Sequence, residues 1–144
     1  MFRNILVPTD GSELSLRAAA GAVELAAKLG ARITAITAIE PYAYASLSEY
    51  RPETIAEYEQ RADQVARERL QSVEALAARN KVPAESTISR SFSPYEAIIE
   101  AARRFDCDAI FMASHGRRGL SAMLLGSETQ KVLTHSTLPV MVYR

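Results

Sequence analysis

The chain has 144 residues, 48% hydrophobic and 24% charged, an ordinary globular balance at a length that suits one domain, here 1–144. Lys plus Arg and Asp plus Glu number 17 each, so the formal net charge is zero; sustained nucleic-acid binding draws on a basic excess, and that partner is not expected. The single cysteine, Cys107, excludes an intramolecular disulfide, and no apolar run approaches the roughly 18–20 residues of a membrane span.

The N-terminus, MFRNILVPTDGS, meets Pro8 and Asp10 straight after a short apolar run. It lacks the h-region and cleavage site of a secretion signal, so the expected location is the cytoplasm. NILVP (Asn4–Pro8) reads as a buried strand ended by a turn signal. A helix then runs to about Leu29, with Glu13, Arg17, Gly21, Glu24 and Lys28 on one polar stripe and Gly30 as its stop. Residues 31–40, ARITAITAIE, are β-branched and apolar and give a second buried strand. Residues 41–54 hold two prolines and no period, so they form a long loop, a kind that is often functional.

Ile55, Tyr58, Ala62, Val65, Ala66, Leu70, Val73, Leu76 and Ala77 recur at helical spacing, which predicts a long amphipathic helix to about Arg79. Residues 84–92 alternate and give a third strand nearer an edge. SPYEAIIEAARRF then opens a helix with Ser93 as N-cap, Pro94 first and Glu96 third, a capping box. Residues 107–114, 127–135 and 138–144 give a fourth strand, a last helix and a fifth strand. Strict alternation of strands and helices predicts a parallel sheet covered on both faces, with a ligand crevice where the strand order reverses. There the PTDGS segment after the first strand meets ASHGRRG after the fourth.

The chemistry of that meeting point is open in two directions. Gly126 and Ser127 stand at a helix start, where unpaired N–H groups and partial positive charge suit a phosphate. Gly116, Arg117 and Arg118 lie at the other end of the same loop and add close backbone approach and charge. Alternatively, Ser127 with Gln130 is a capping box that needs no ligand, and Glu128 repels a phosphate while suiting the helix dipole. Asp10 with Glu13 also forms a capping box, a role that coexists with ligand contact. His115 beside Ser114 has no orienting acid and is not assigned catalysis; His135 suits the last turn of a helix. Tyr42, Tyr44 and Tyr50 either close over a base or pack at the surface. Cys107 is read as an inert core residue, and no metal cluster has ligand spacing.

NILVPTDGS at the start and ASHGRRGLSAMLLGSETQKVLTHSTLPVMVYR at the end resemble the universal stress protein family, over essentially the whole chain. Its nucleotide-binding members show Gly, two residues, Gly, nine residues, then Gly with Ser or Thr. Gly116 matches the second glycine, residues 117–125 the spacer, and Gly126 and Ser127 the final pair; Ala113 stands in place of the first glycine. The resemblance implies a Rossmann-like three-layer α/β sandwich with strand order 3-2-1-4-5. It also implies an ATP site, with Mg²⁺ accompanying the phosphates. Pro8, Thr9 and Asp10 would line that site after the first strand. Ala38 would meet adenine through its backbone, and Met112 and Ala113 would flank the nucleoside. His115, Gly116, Arg117, Gly126, Ser127 and the backbone of Glu128 would surround the phosphates. A homodimer through the C-terminal strand, between Leu138 and Tyr143, and an unidentified client protein are further implications. The activity implied is regulatory, with at most slow ATP hydrolysis.

Three other plans compete. A phosphoacceptor receiver domain needs an acidic pair after the first strand and a Lys before a proline near the fifth; Asp10 stands alone and Leu138 precedes Pro139, so it is rejected. An adenylate-forming enzyme of the related α-hydrolase superfamily needs a Gly-rich first loop or paired histidines, and PTDGSELS has one glycine. A dimeric scaffold with no ligand remains the alternative, and Ala113 keeps it open.

Overall fold

The computed structural model describes residues 1–42, 53–117 and 124–144. Its elements are β1 (Asn4–Pro8), α1 (Glu13–Leu29), β2 (Arg32–Ile39), α2 (Ile55–Arg79), β3 (Ala84–Arg90), α3 (Pro94–Arg104), β4 (Ala109–Ala113), α4 (Ser127–His135) and β5 (Val140–Tyr143). The five strands form one sheet in the order β3-β2-β1-β4-β5, and every neighbouring pair is parallel. The expected order is therefore the observed one, and the third strand lies at an edge as its composition suggested.

Alternation along the central strands explains the layers. Ile5 and Val7 of β1 with Ile33 and Ala35 of β2 face Ala19, Ala22, Val23 and Ala26 of α1 and Leu70, Val73 and Ala77 of α2. Leu6, Ile36, Ile110 and Met112 point the other way, onto Ile98, Ala101 and Ala102 of α3 and Val132 of α4. A fully buried Ile or Leu contributes about 1.5–3 kcal/mol, whereas a helix cap contributes about 1 kcal/mol. Burial therefore sets which helix covers which face, and side-chain capping marks the starts of α1 and α2.

The helix starts differ from the sequence reading in three places. At α1 the N-cap is Ser12, whose side chain accepts from Ser15 N–H; Asp10 and Glu13 form no capping box. Asp10 stands too early in the chain and instead accepts from Ser12 N–H at 2.9 Å. At α3 Pro94 opens the helix as expected, but Ser93 makes no side-chain cap. Glu128 of α4 takes that role from across the fold, its Oε2 accepting from Tyr95 N–H at 2.8 Å. At α4 the N-cap is Gly126, so Ser127 is already helical and makes no capping box with Gln130. One further box lies outside the sequence reading: Thr54 and Glu57 cap α2 in both directions, from a Thr-x-x-Glu spacing that is legible in the chain.

Edge strand β3 is fastened to α2 by an Arg90–Asp63 ion pair and a Ser86–Glu74 hydrogen bond. Cys107 is buried, and burial pushes its thiol up to about 11, which fits an inert core residue. Among the described residues no helix is long and apolar enough to cross a membrane.

Candidate functional site

The strand order reverses between β1 and β4, two neighbouring strands inside the sheet. Their carboxyl ends carry the two loops that the sequence singles out. β1 stops at Pro8, opposite Ile36, and Thr9 N–H still donates to Ile36 O at 2.8 Å. β2 continues to Ile39, so Ala38 stands two residues beyond the last β1 pairing and borders the space above β1. Thr9 is buried; its hydroxyl accepts from Gly11 N–H and shares a 3.1 Å hydrogen bond with the Ser15 hydroxyl. Gly11 has φ +76°, the left-handed region that lets the chain turn into α1.

Asp10 joins the two loops. Its Oδ1 accepts from Ser12 N–H, its Oδ2 from Arg117 N–H at 2.8 Å, and its carbonyl from Arg117 Nε at 2.9 Å. Burial alone would raise its carboxyl, but the hydrogen bonds from Ser12 and Arg117 outweigh it and hold the group below its ordinary value. Gly116 is pressed against this carboxylate: a Cβ there would stand 2.5 Å from Asp10 Oδ2. Close approach at Gly116 is thus required first by the protein's own aspartate.

On the β4 side Met112 and Ala113 are buried, and the Ala113 carbonyl accepts from the Thr129 hydroxyl at 3.0 Å. The Ser114 backbone bridges three elements. Its N–H donates to Tyr143 O and its carbonyl accepts from Gly126 N–H, both at 2.7 Å. A Cβ at Gly126 would meet His115 Cα at 3.1 Å, so the smallest residue lets the start of α4 lie on His115. His115 Nδ1 and the Ser114 hydroxyl share a 3.1 Å hydrogen bond. The first intrahelical bond of α4 is Gln130 N–H to Gly126 O. The N–H groups of Ser127, Glu128 and Thr129 therefore have no acceptor within the helix, and Gly126 brings no side chain to cap them. The Glu128 carboxylate is engaged by Tyr95 N–H and by Lys131, so its charge is committed to α3 and its own helix. His135 stacks on Tyr95 with ring centroids 5.2 Å apart. Tyr42 packs edge-on against Tyr58, the surface alternative for that ring. Tyr44, Tyr50 and Arg118 lie outside the described residues, as does most of the spacer between Arg117 and Gly126.

The structure thus gathers Pro8, Thr9, Asp10, Met112, Ala113, His115, Gly116, Arg117, Gly126, Ser127 and Glu128 around the ends of β1 and β4, with Ala38 bordering them on β2. It adds a residue absent from the sequence reading. Arg69 of α2 lies against the β1 loop, with Nη1 3.5 Å from the buried Thr37 hydroxyl. Its side chain also lines the surface of Gly11, where a Cβ would stand 2.9 Å from Arg69 Cγ and 3.2 Å from Arg117 Nη2. A signal was present: Arg69 falls beside Ala66, Leu70 and Val73 on the apolar side of α2, where a charge is out of pattern.

Comparison with known proteins agrees with this architecture. The family model described as the universal stress protein family matches residues 1–144. A universal stress protein of Thermus aquaticus, from the 3′ region of QAH/OAS sulfhydrylase, is 33% identical over 144 residues and covers 100% of both chains. The solved structure of hypothetical protein MJ0577 of Methanocaldococcus jannaschii superposes with a TM-score of 0.83 at 24% identity, covering 99% of this chain and 96% of that one. A universal stress protein solved in complex with cAMP gives 0.67 at 24% identity, covering 99% and 97%. One from Archaeoglobus fulgidus in complex with dAMP gives 0.66 at 19% identity, covering 99% and 98%. From its strand order, its paired loops and a family match along its full length, this chain belongs to the universal stress protein family.

Proposed function

We propose that the crevice over β1 and β4 binds an adenine nucleotide, with ATP as the ligand and Mg²⁺ carried on its phosphates. The observation that carries this reading is the uncapped start of α4. Three helix N–H groups without intrahelical acceptors lie beside the loop that Arg117 latches to Asp10, as an anion site at a strand-order reversal requires. The base would lie toward Ala38, and Met112 and Ala113 would flank the sugar. His115, Gly116, Arg117, Gly126, Ser127 and the Glu128 backbone would face the phosphates. Relatives of this fold solved with cAMP and dAMP support an adenine ligand. Among the described residues no group of three or more His, Cys, Asp or Glu residues could hold a metal by itself. Mg²⁺ would be held on the phosphates, and Asp10 would lie near the ribose or near that ion. The protein's role would be regulatory, in the cytoplasm, through a client that responds to nucleotide occupancy. β5 ends the sheet, which supports a homodimer pairing between Leu138 and Tyr143.

Calorimetric titration with ATP, ADP, AMP and cAMP, with and without Mg²⁺, tests the reading. Binding of at least one adenine nucleotide with a matching rise in melting temperature is expected. Absence of heat and of any melting shift at millimolar nucleotide would overturn it. A ligand-free dimeric scaffold would then stand, favoured by the contacts that already account for Gly116 and Gly126 within the protein.

A further inference from the structure

Arg69 is unusual in its partners. Among the described residues, its Nε is the buried side-chain nitrogen or oxygen that finds no hydrogen-bond partner. An unsatisfied buried donor is costly, and a charged one more so. The hydrogen bond from its Nη1 to Thr37 is long at 3.5 Å. Two guanidiniums, of Arg69 and Arg117, also converge on the surface of Gly11. The carboxylate beside them belongs to Asp10, and both its oxygens already accept N–H groups, from Ser12 and Arg117. Two cations against one engaged anion leave a local excess of positive charge. Burial and the neighbouring Arg117 depress the Arg69 guanidinium, against the pull of Asp10. This is what a cation experiences when its counter-charge has still to arrive.

We infer that Arg69 is a ligand-binding residue: with Arg117 it forms a two-guanidinium clamp on the phosphate chain of the nucleotide, making the site selective for polyphosphate over nucleoside. The inference rests on the nucleotide reading above and extends it, because α2 becomes a third contributor beside the two loops. Guanidinium matches phosphate through paired donors in a plane, and Nε together with a terminal nitrogen forms one such pair. A phosphate on Arg69 satisfies the orphaned Nε and relieves the repulsion between the two arginines. The same contact ties the phosphates to α2, whose N-terminus receives the chain from the segment that follows β2.

The test is isothermal calorimetry on Arg69→Met and Arg69→Lys beside the wild type, with ATP, AMP, adenosine and inorganic tripolyphosphate as separate probes. Arg69→Met is expected to lower ATP affinity about tenfold or more, on the scale of a lost charged hydrogen bond, and to leave adenosine within about twofold. Arg69→Lys keeps the charge without the planar fork and should fall between. Tripolyphosphate should raise the melting temperature of the wild type and have little effect on the Met variant. An unchanged ATP-to-adenosine affinity ratio in Arg69→Met, with the wild type binding ATP, would overturn the clamp and leave the nucleotide reading standing. If the wild type binds tripolyphosphate through Arg69 but no adenine nucleotide, the clamp stands as an anion site and the nucleotide reading falls. Should the Met variant be too unstable to titrate, the Lys variant and the tripolyphosphate arm decide.

Discussion

Helices α1 and α4 both start above the carboxyl ends of the central strands, and they start in opposite ways. α1 is capped by its own residues: the Ser12 side chain accepts from Ser15 N–H, and in the turn before the helix Asp10 accepts from Ser12 N–H and the Thr9 hydroxyl from Gly11 N–H. α4 starts at a glycine with no side-chain cap, and the acidic residue of its first turn is turned to the start of α3. One helix start carries a side-chain cap of its own and the other carries none. The difference teaches that the dipole is common to both starts and the side-chain cap is not, so the missing cap is what would set the α4 start apart as a binding site.

The sharpest way to break this contrast is to close α4. Gly126 has φ −63° and ψ 152°, which any residue adopts, and Asp is among the best N-caps. Its Cβ would stand 3.1 Å from His115 Cα, so the His115 backbone has to give by a few tenths of an ångström. Gly126→Asp should keep the fold, shown by an unchanged far-ultraviolet circular dichroism spectrum, and abolish the ATP-induced melting shift. Retention of that shift would show that the α4 terminus is not where phosphate sits.

A smaller effect sharpens the comparison through the two serines. Ser12→Ala removes the α1 cap and should cost about 1 kcal/mol in urea unfolding. Ser127→Ala removes no cap and should stay within about 0.5 kcal/mol, while weakening ATP binding. Equal stability losses would mean that the two termini are capped alike.

The smallest effect is in pH. The Asp10 carboxyl is held below its ordinary value in the folded state, so its contribution to stability is full above the unfolded-state value of 3.8 and is lost as pH falls through the lower folded value. Acid unfolding should therefore be less steep in Asp10→Asn than in the wild type below about pH 4, with the two curves parallel at neutral pH. Parallel curves in acid would show that the Arg117 and Ser12 hydrogen bonds do not favour the ionised form.

The sequence by itself determined the order of strands and helices. Apolar runs such as NILVP and the helical recurrence from Ile55 to Ala77 record burial directly, and burial of apolar surface is the dominant force that favours folding. Together with the terminal motifs, they led to the sheet order that was found. The two loops were also legible, because parallel topology puts the ends of β1 and β4 side by side. Only the tertiary structure decided the caps and the partners. Glu128 is separated from Tyr95 by 33 positions, and Arg117 from Asp10 by 107, so no local spacing announces either bond. Arg69 interrupted an apolar pattern in plain view, but its direction toward Gly11 depends on how α2 packs across β2. Periodicity reports what a residue hides from water, and only packing reports which polar group it then meets.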